Sequence, residues 1–113
     1  MREKEENNNV ECPVAYALDM IGGKWHLQII WALYKQPIQR YSELKRGVKG
    51  ITDIMLSQTL KELEGYGLVT RTQYLEVPPR VEYSLTEEGK TLKPIINELS
   101  RWGLKRMDAQ KEW

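Results

Sequence analysis

Cys12 and His26 are the only cysteine and the only histidine in this chain of 113 residues. A lone cysteine cannot close an intrachain disulfide, and one Cys with one His cannot furnish an all-protein zinc site, so no metal and no cofactor are expected. Cys12 stands directly before Pro13, which suits the first turn of a helix because its missing N–H costs nothing there. Unpaired N–H groups at a helix start stabilise a thiolate and raise its reactivity. Cys12 is therefore a candidate sensor for a small electrophile or oxidant, set against the plainer role of a small buried hydrophobe. With no second cysteine, its products narrow to a bridge between two subunits, a mixed disulfide with a small thiol, or alkylation.

Enzymatic readings find little support. Gly23-Lys24 is not a phosphate-binding loop: Leu18 stands where the first glycine belongs, and Trp25 replaces the hydroxyl residue that would hold magnesium. No G-x-S-x-G elbow occurs. His26 lies in an apolar helical stretch, which suits packing better than pairing with Cys12. Glu62 with Glu64, and Glu87 with Glu88, are too close in sequence to share a helix face, so they read as solvated charges.

A second group of residues has types that suit nucleic acid. On a helical wheel starting at Thr52, the residues Ile54, Ser57, Gln58, Lys61 and Glu62 fall opposite Leu56, Leu60 and Leu63. Gln58 can bridge to adenine, Ser57 can donate or accept, Ile54 can touch a thymine methyl, and Lys61 can reach phosphate. A merely solvated helix face would look similar, except that an exposed Ile54 is unusual on one. Lys45, Arg46 and Lys49 precede this helix at a turn that could meet the phosphate backbone. Arg80 follows Val77-Pro78-Pro79, which reads as a stiff loop tip.

The elements that must position these groups follow from the pattern. Val14, Ala17, Leu18 and Ile21 form a short stripe after Pro13, broken by Gly22-Gly23. The next stretch, Trp25 to Leu33, is apolar nearly all round and belongs at the centre of the fold. A short helix opens at Tyr41 and closes at Gly47. Thr52 is the N-cap of the next, which stops at Gly65-Tyr66-Gly67, with Gly67 suited to a left-handed turn. Residues 68–74 and 81–85 read as two strands around the proline loop, and one helix is expected to run from Thr86 through Met107. Four helices, a β-hairpin and a terminal helix make a mainly α winged helix-turn-helix. In the terminal helix Leu92, Ile95, Ile96, Leu99 and Trp102 recur at spacings of three and four. A terminal helix on so small a domain has little core left to cover, so this stripe is expected to meet a partner.

Charge at first argues against nucleic acid. The chain has 17 basic and 16 acidic residues, a net charge of +1, whereas DNA binders are often strongly basic. The total hides the distribution, because residues 1–11 carry two basic and four acidic groups. That acidic stretch, with its Asn triplet, reads as a flexible arm ahead of one domain over 12–113. It is no signal peptide, and no apolar run is long enough to span a membrane, so a cytoplasmic location is expected. A module this weakly basic should bind random DNA weakly and depend on base contacts and dimer geometry.

Residues 12–103 resemble the HxlR-type winged helix-turn-helix transcriptional regulators, relatives of the MarR repressors. The matching stretches are Cys12-Pro13, GGKW at 22–25, YSELKRGVKGIT at 41–52, LSQTLKELEGYGLVTRT at 56–72, EVPPRVEYSLTEEG at 76–89 and ELSRWG at 98–103. The VPPRVEYSLT run is the most specific. The resemblance implies a homodimer, joined through its first and last helices, that binds an inverted-repeat operator in double-stranded DNA near a promoter. It places Val14 and Leu18 with the terminal stripe at the dimer interface, and it implies a cysteine at position 12 that detects electrophiles or oxidants. Two departures, Ile54 at a position often basic or polar and the acidic Asp53, bear on which operator is read. The chain is thus expected to be a transcriptional regulator, a repressor rather than an enzyme. The alternative is a winged-helix protein–protein module without DNA-binding activity.

Overall fold

The computed structural model describes residues 12–111, so the expected N-terminal arm lies outside the described residues. The elements run α1 Pro13–Ile21, α2 His26–Lys35, α3 Tyr41–Gly47, α4 Asp53–Gly65, β1 Val69–Tyr74, β2 Arg80–Leu85, α5 Glu87–Lys90 and α6 Lys93–Lys111. The mainly α winged helix-turn-helix read from the sequence is the architecture observed. Among the described residues no helix is long and apolar enough to cross a membrane.

The core forms where three helices turn apolar faces inward. Ile29, Ile30 and Leu33 of α2, Leu44 of α3, and Leu56, Leu60 and Leu63 of α4 are the largest fully buried side chains. Each such side chain contributes about 1.5–3 kcal/mol by leaving water. Ile21, Trp25, Val48, Ile51, Leu68, Val69, Tyr83 and Ile96 complete the cluster. Helix α2 is central, as its all-round apolar pattern predicts, and Leu27, Trp31, Ala32 and Tyr34 pack against the same cluster from its other sides.

The hairpin is antiparallel, with Val69 opposite Leu85, Arg71 opposite Tyr83 and Tyr74 opposite Arg80. A lone pair of strands is marginal in water and needs a body to pack on. Gln39 supplies that attachment. Its backbone exchanges two hydrogen bonds with Tyr83, at 3.1 and 2.8 Å. Its buried side chain donates to the carbonyls of Ala32 (2.8 Å), which also accepts from Gln36 N, and Gln36 (3.0 Å), just past the end of α2.

The single terminal helix read from the sequence is two helices. Thr86 caps α5 by accepting from Gly89 N at 3.0 Å, and its own hydroxyl donates to Gly67 O at 2.6 Å. The chain then turns at Thr91-Leu92 before α6 begins. Pro94 supplies the reason, since its ring would clash with the carbonyl of residue 90 in an unbroken helix and it has no N–H to give. Gly67 takes the left-handed turn expected of it, at φ 75°.

Gly89 is buried, and a Cβ there would run into the Leu68 carbonyl oxygen. Helix propensity alone makes Gly89→Ala stabilising by about 1 kcal/mol. The collision predicts the opposite sign, a loss of roughly 1–3 kcal/mol, to be measured by chemical denaturation. A variant as stable as the parent would show that the α5–β1 approach is looser than described.

Candidate nucleic-acid interface

Helices α3 and α4 meet through a tight turn. Val48 and Ile51 are buried in it, and Gly50 takes φ 85°, a conformation open to glycine at little cost. Glu43 steadies the start of α3 by accepting from Arg40 N at 2.8 Å. Thr52 is the N-cap of α4, its hydroxyl oxygen accepting from Met55 N at 3.2 Å. The helix then buries Leu56, Thr59, Leu60 and Leu63. Ile54, Ser57, Gln58 and Lys61 point outward and, with Asp53, line one shallow concavity. Ile54 is 77% exposed, which a folded core does not require.

Lys45 is half-buried, while Arg46 and Lys49 are exposed where α3 passes into the turn. Lys45 Nζ lies 4.0 Å from Asp53 Oδ1, a loose surface pair that still offsets part of the aspartate's charge. Tyr41 is a tie that sequence reasoning missed. Its hydroxyl lies 3.0 Å from the Asp53 carbonyl, 3.2 Å from Asp53 Oδ1 and 3.2 Å from Ser57 Oγ. With one proton to give, it donates to Asp53 and accepts from Ser57, so the first turn of α3 fixes the first turn of α4.

Glu62 is not the simple solvated charge read from the sequence. Its Oε1 is 2.7 Å from His26 Nε2, and its Oε2 accepts from Gln58 Nε2 at 3.3 Å. The bonds from His26 first, and then from Gln58, hold its carboxyl below the usual carboxylate range. A lowered folded-state value means this contribution to stability is present above the ordinary carboxylate value and fades as pH falls through the lowered one.

The wing differs from expectation at Arg80. The sequence places Arg80 at the loop tip, but it is the first residue of β2, paired with Tyr74. Its guanidinium stacks 4.2 Å from the Tyr74 ring centroid, and Nη1 lies 3.4 Å from Glu76 Oε1. Nε sits 3.1 Å from Glu82 Oε2, close enough for an ion pair but without the alignment of a hydrogen bond. Two carboxylates and an aromatic face therefore draw the side chain back along the hairpin. The tip is left to Leu75 and Val77, which are almost wholly exposed. Arg71 is a second residue missed. It lines a groove with Ser57, Lys61 and Glu64, which places another cation beside the outer face of α4.

Cys12 is exposed and is the N-cap of α1, whose first hydrogen bond runs from Tyr16 N to Cys12 O. Its thiol makes no capping bond. Val14 and Leu18 are exposed on α1, and Ile95, Leu99 and Trp102 on α6. Two members of the expected interface stripe fall elsewhere. Ile96 is 5% exposed and belongs to the subunit's own core. Leu92 is half-buried against that core in the turn before α6. Adjacent residues on a helix point about 100° apart, so only one of Ile95 and Ile96 can face outward. Among the described residues, no cluster of three or more His, Cys, Asp or Glu side chains could hold a metal ion.

Comparison with known proteins agrees with this arrangement. The family model for the HxlR-like helix-turn-helix matches residues 20–111. The chain is 51% identical over 92 residues to the uncharacterised HTH-type transcriptional regulator YkvN of Bacillus subtilis, covering 81% of this chain and 77% of that one. Among solved structures, it is similar to the redox regulator HypR in its oxidised form, with TM-score 0.78, 45% identity, and 83% and 96% of the two chains covered. It is also similar to the reduced form of the transcriptional regulator YodB from B. subtilis, with TM-score 0.71, 34% identity, and 80% and 89% covered. These relatives are named as regulators, and the chain belongs to the HxlR-like helix-turn-helix family, whose members are transcriptional regulators and not enzymes.

Proposed function

We propose that the protein is a sequence-specific repressor that binds an inverted-repeat operator in double-stranded DNA as a homodimer. The observation that carries this reading is the outer face of α4. Ile54, Ser57, Gln58 and Lys61 stand in one open row, while the opposite face of the same helix is fully buried. A helix of this kind fits the major groove, with short polar and apolar side chains against base edges. Thr52 sits at its leading end. Lys45, Arg46 and Lys49 are placed to meet phosphates beside it, and Arg80 with Arg71 would do so from the wing. The hairpin already holds Arg80 in ion pairs, so to reach a phosphate it must leave Glu76 or Glu82.

The dimer reading rests on exposed apolar surface. Trp102 is 65% exposed and Val14 66%, with Leu18, Ile95 and Leu99 about half exposed. Ile95, Leu99 and Trp102 line one apolar surface on α6, and exposed apolar surface of this kind marks an interaction site. A twofold dimer through α1 and α6 would set its two α4 helices about 34 Å apart, one turn of DNA. Cys12 stands at the start of α1, so a change at its thiol would act next to that interface. The similarity to HypR, named a redox regulator, supports an oxidant- or electrophile-responsive Cys12.

DNA affinity, oligomeric state and the response to oxidants each check one part of this reading. DNA affinity should fall steeply with salt, and Lys49→Ala should reduce the slope of log affinity against log salt by about 0.9 for each phosphate that the side chain neutralises. Charge reversal at Lys45, Arg46, Lys49 and Arg80 should abolish DNA binding; binding that survives would move the DNA contact elsewhere, and a parent protein that binds no duplex even at low salt would favour a protein–protein module. Trp102→Glu should convert the dimer to a monomer by light scattering, and a dimer that persists would move the interface elsewhere. Cys12→Ser should leave DNA binding intact and remove its response to diamide or a quinone, whereas a response that survives would end the sensor role.

A further inference from the structure

His26 and Glu62 lie outside the row proposed to read DNA, yet the geometry connects them to it. His26 is in the first turn of α2, and its side chain is 13% exposed. The ring is seated against Gly23, where a Cβ would run into Nδ1. Nδ1 is buried and has no hydrogen-bond partner, while Nε2 lies 2.7 Å from Glu62 Oε1. An ionised carboxylate only accepts. Nε2 therefore carries a hydrogen and donates it to Glu62.

The same rule acts at the other carboxylate oxygen. Glu62 Oε2 lies 3.3 Å from the Gln58 amide, which is one helical turn away. Only the NH₂ end of that amide can face a carboxylate, because a carbonyl oxygen there would set two acceptors against each other. With one N–H engaged, Gln58 keeps its carbonyl oxygen and its second N–H for the outside. An acceptor and a donor side by side match adenine in the major groove, whose N6 amino group donates and whose N7 accepts. The turned-over amide would present the pair in reverse order.

We propose that His26 and Glu62 are positioning residues that lock the Gln58 amide in the orientation that reads adenine, so that α2 sets a base preference of α4. This rests on the DNA-binding reading of α4. His26 fixes the Glu62 side chain from a ring that is itself packed in place, and Glu62 selects which end of Gln58 faces outward.

The test is selection of bound duplexes by the full chain from a library of random DNA, with sequencing of the bound pool. The parent protein should enrich adenine at one position in each half-site, and Gln58→Ala should lose that enrichment. Glu62→Gln replaces an obligatory acceptor with an amide that can meet Gln58 by either end. It should lower the adenine preference at that one position by roughly 10-fold, with other positions still enriched. His26→Leu should flatten the same position. Thermal unfolding checks that each variant is folded, and Glu62→Gln, at a partly exposed site, carries the test if His26→Leu is not. An unchanged preference in Glu62→Gln, or a loss spread evenly over all positions, would overturn the positioning role alone. A parent protein that enriches no sequence would overturn the DNA reading and this inference with it.

Discussion

The one-sided burial of α4 is the constraint on which the rest of the structure depends. Leu56, Leu60 and Leu63 each leave water completely, and together they fix the rotation of the helix about its axis. A helix turned by one residue, about 100°, would expose leucines and bury Gln58 or Lys61, a change of several kcal/mol. The outward row is therefore set by what faces inward. Thr52 sets where the helix begins, and Tyr41 ties its first turn to α3 through Asp53 and Ser57. Position along the axis and rotation about it are thus determined by separate residues.

The wing depends on a different attachment. Two strands alone would not hold their place, and the buried Gln39 gives them a third backbone partner at Tyr83 while closing the end of α2. Thr86 does comparable work at the far end of β2, bonding Gly67 and capping α5 in one residue. The hairpin therefore moves with α2 and with the end of α4. This coupling lets a small weakly basic chain present a helix and a wing in one fixed geometry, which matters when few cations are on hand to meet phosphates.

Much of the arrangement was legible in the sequence because it rests on local chemistry. The cap at Thr52, the leucine stripe of α4, the left-handed Gly67 and the helix start at Pro13 are each decided within a few residues. The discrepancies come from interactions that spacing cannot show. Leu92 to Met107 keeps its helical spacing across a break, and only Pro94 marks the interruption. Ile95 and Ile96 both fit the apolar stripe, but packing onto the core selects Ile96. The Pro78-Pro79 pair is visible as a stiff loop, whereas the pull of Glu76, Glu82 and Tyr74 on Arg80 requires the register of the hairpin. The bond between His26 and Glu62 joins residues 36 apart, and no local pattern points to it.

We propose the outer face of α4, with the wing beside it, as the surface through which this regulator meets DNA. Backbone and side-chain amide NMR shifts of the folded protein, followed as a selected operator duplex is added, test it most directly. The largest changes are expected at Ile54, Ser57, Gln58 and Lys61, with a second set at Lys49, Leu75, Glu76, Val77 and Arg80, and little change at Ile95, Leu99 or Trp102. Changes concentrated on α6, or a bound state in which the row on α4 is undisturbed, would contradict it.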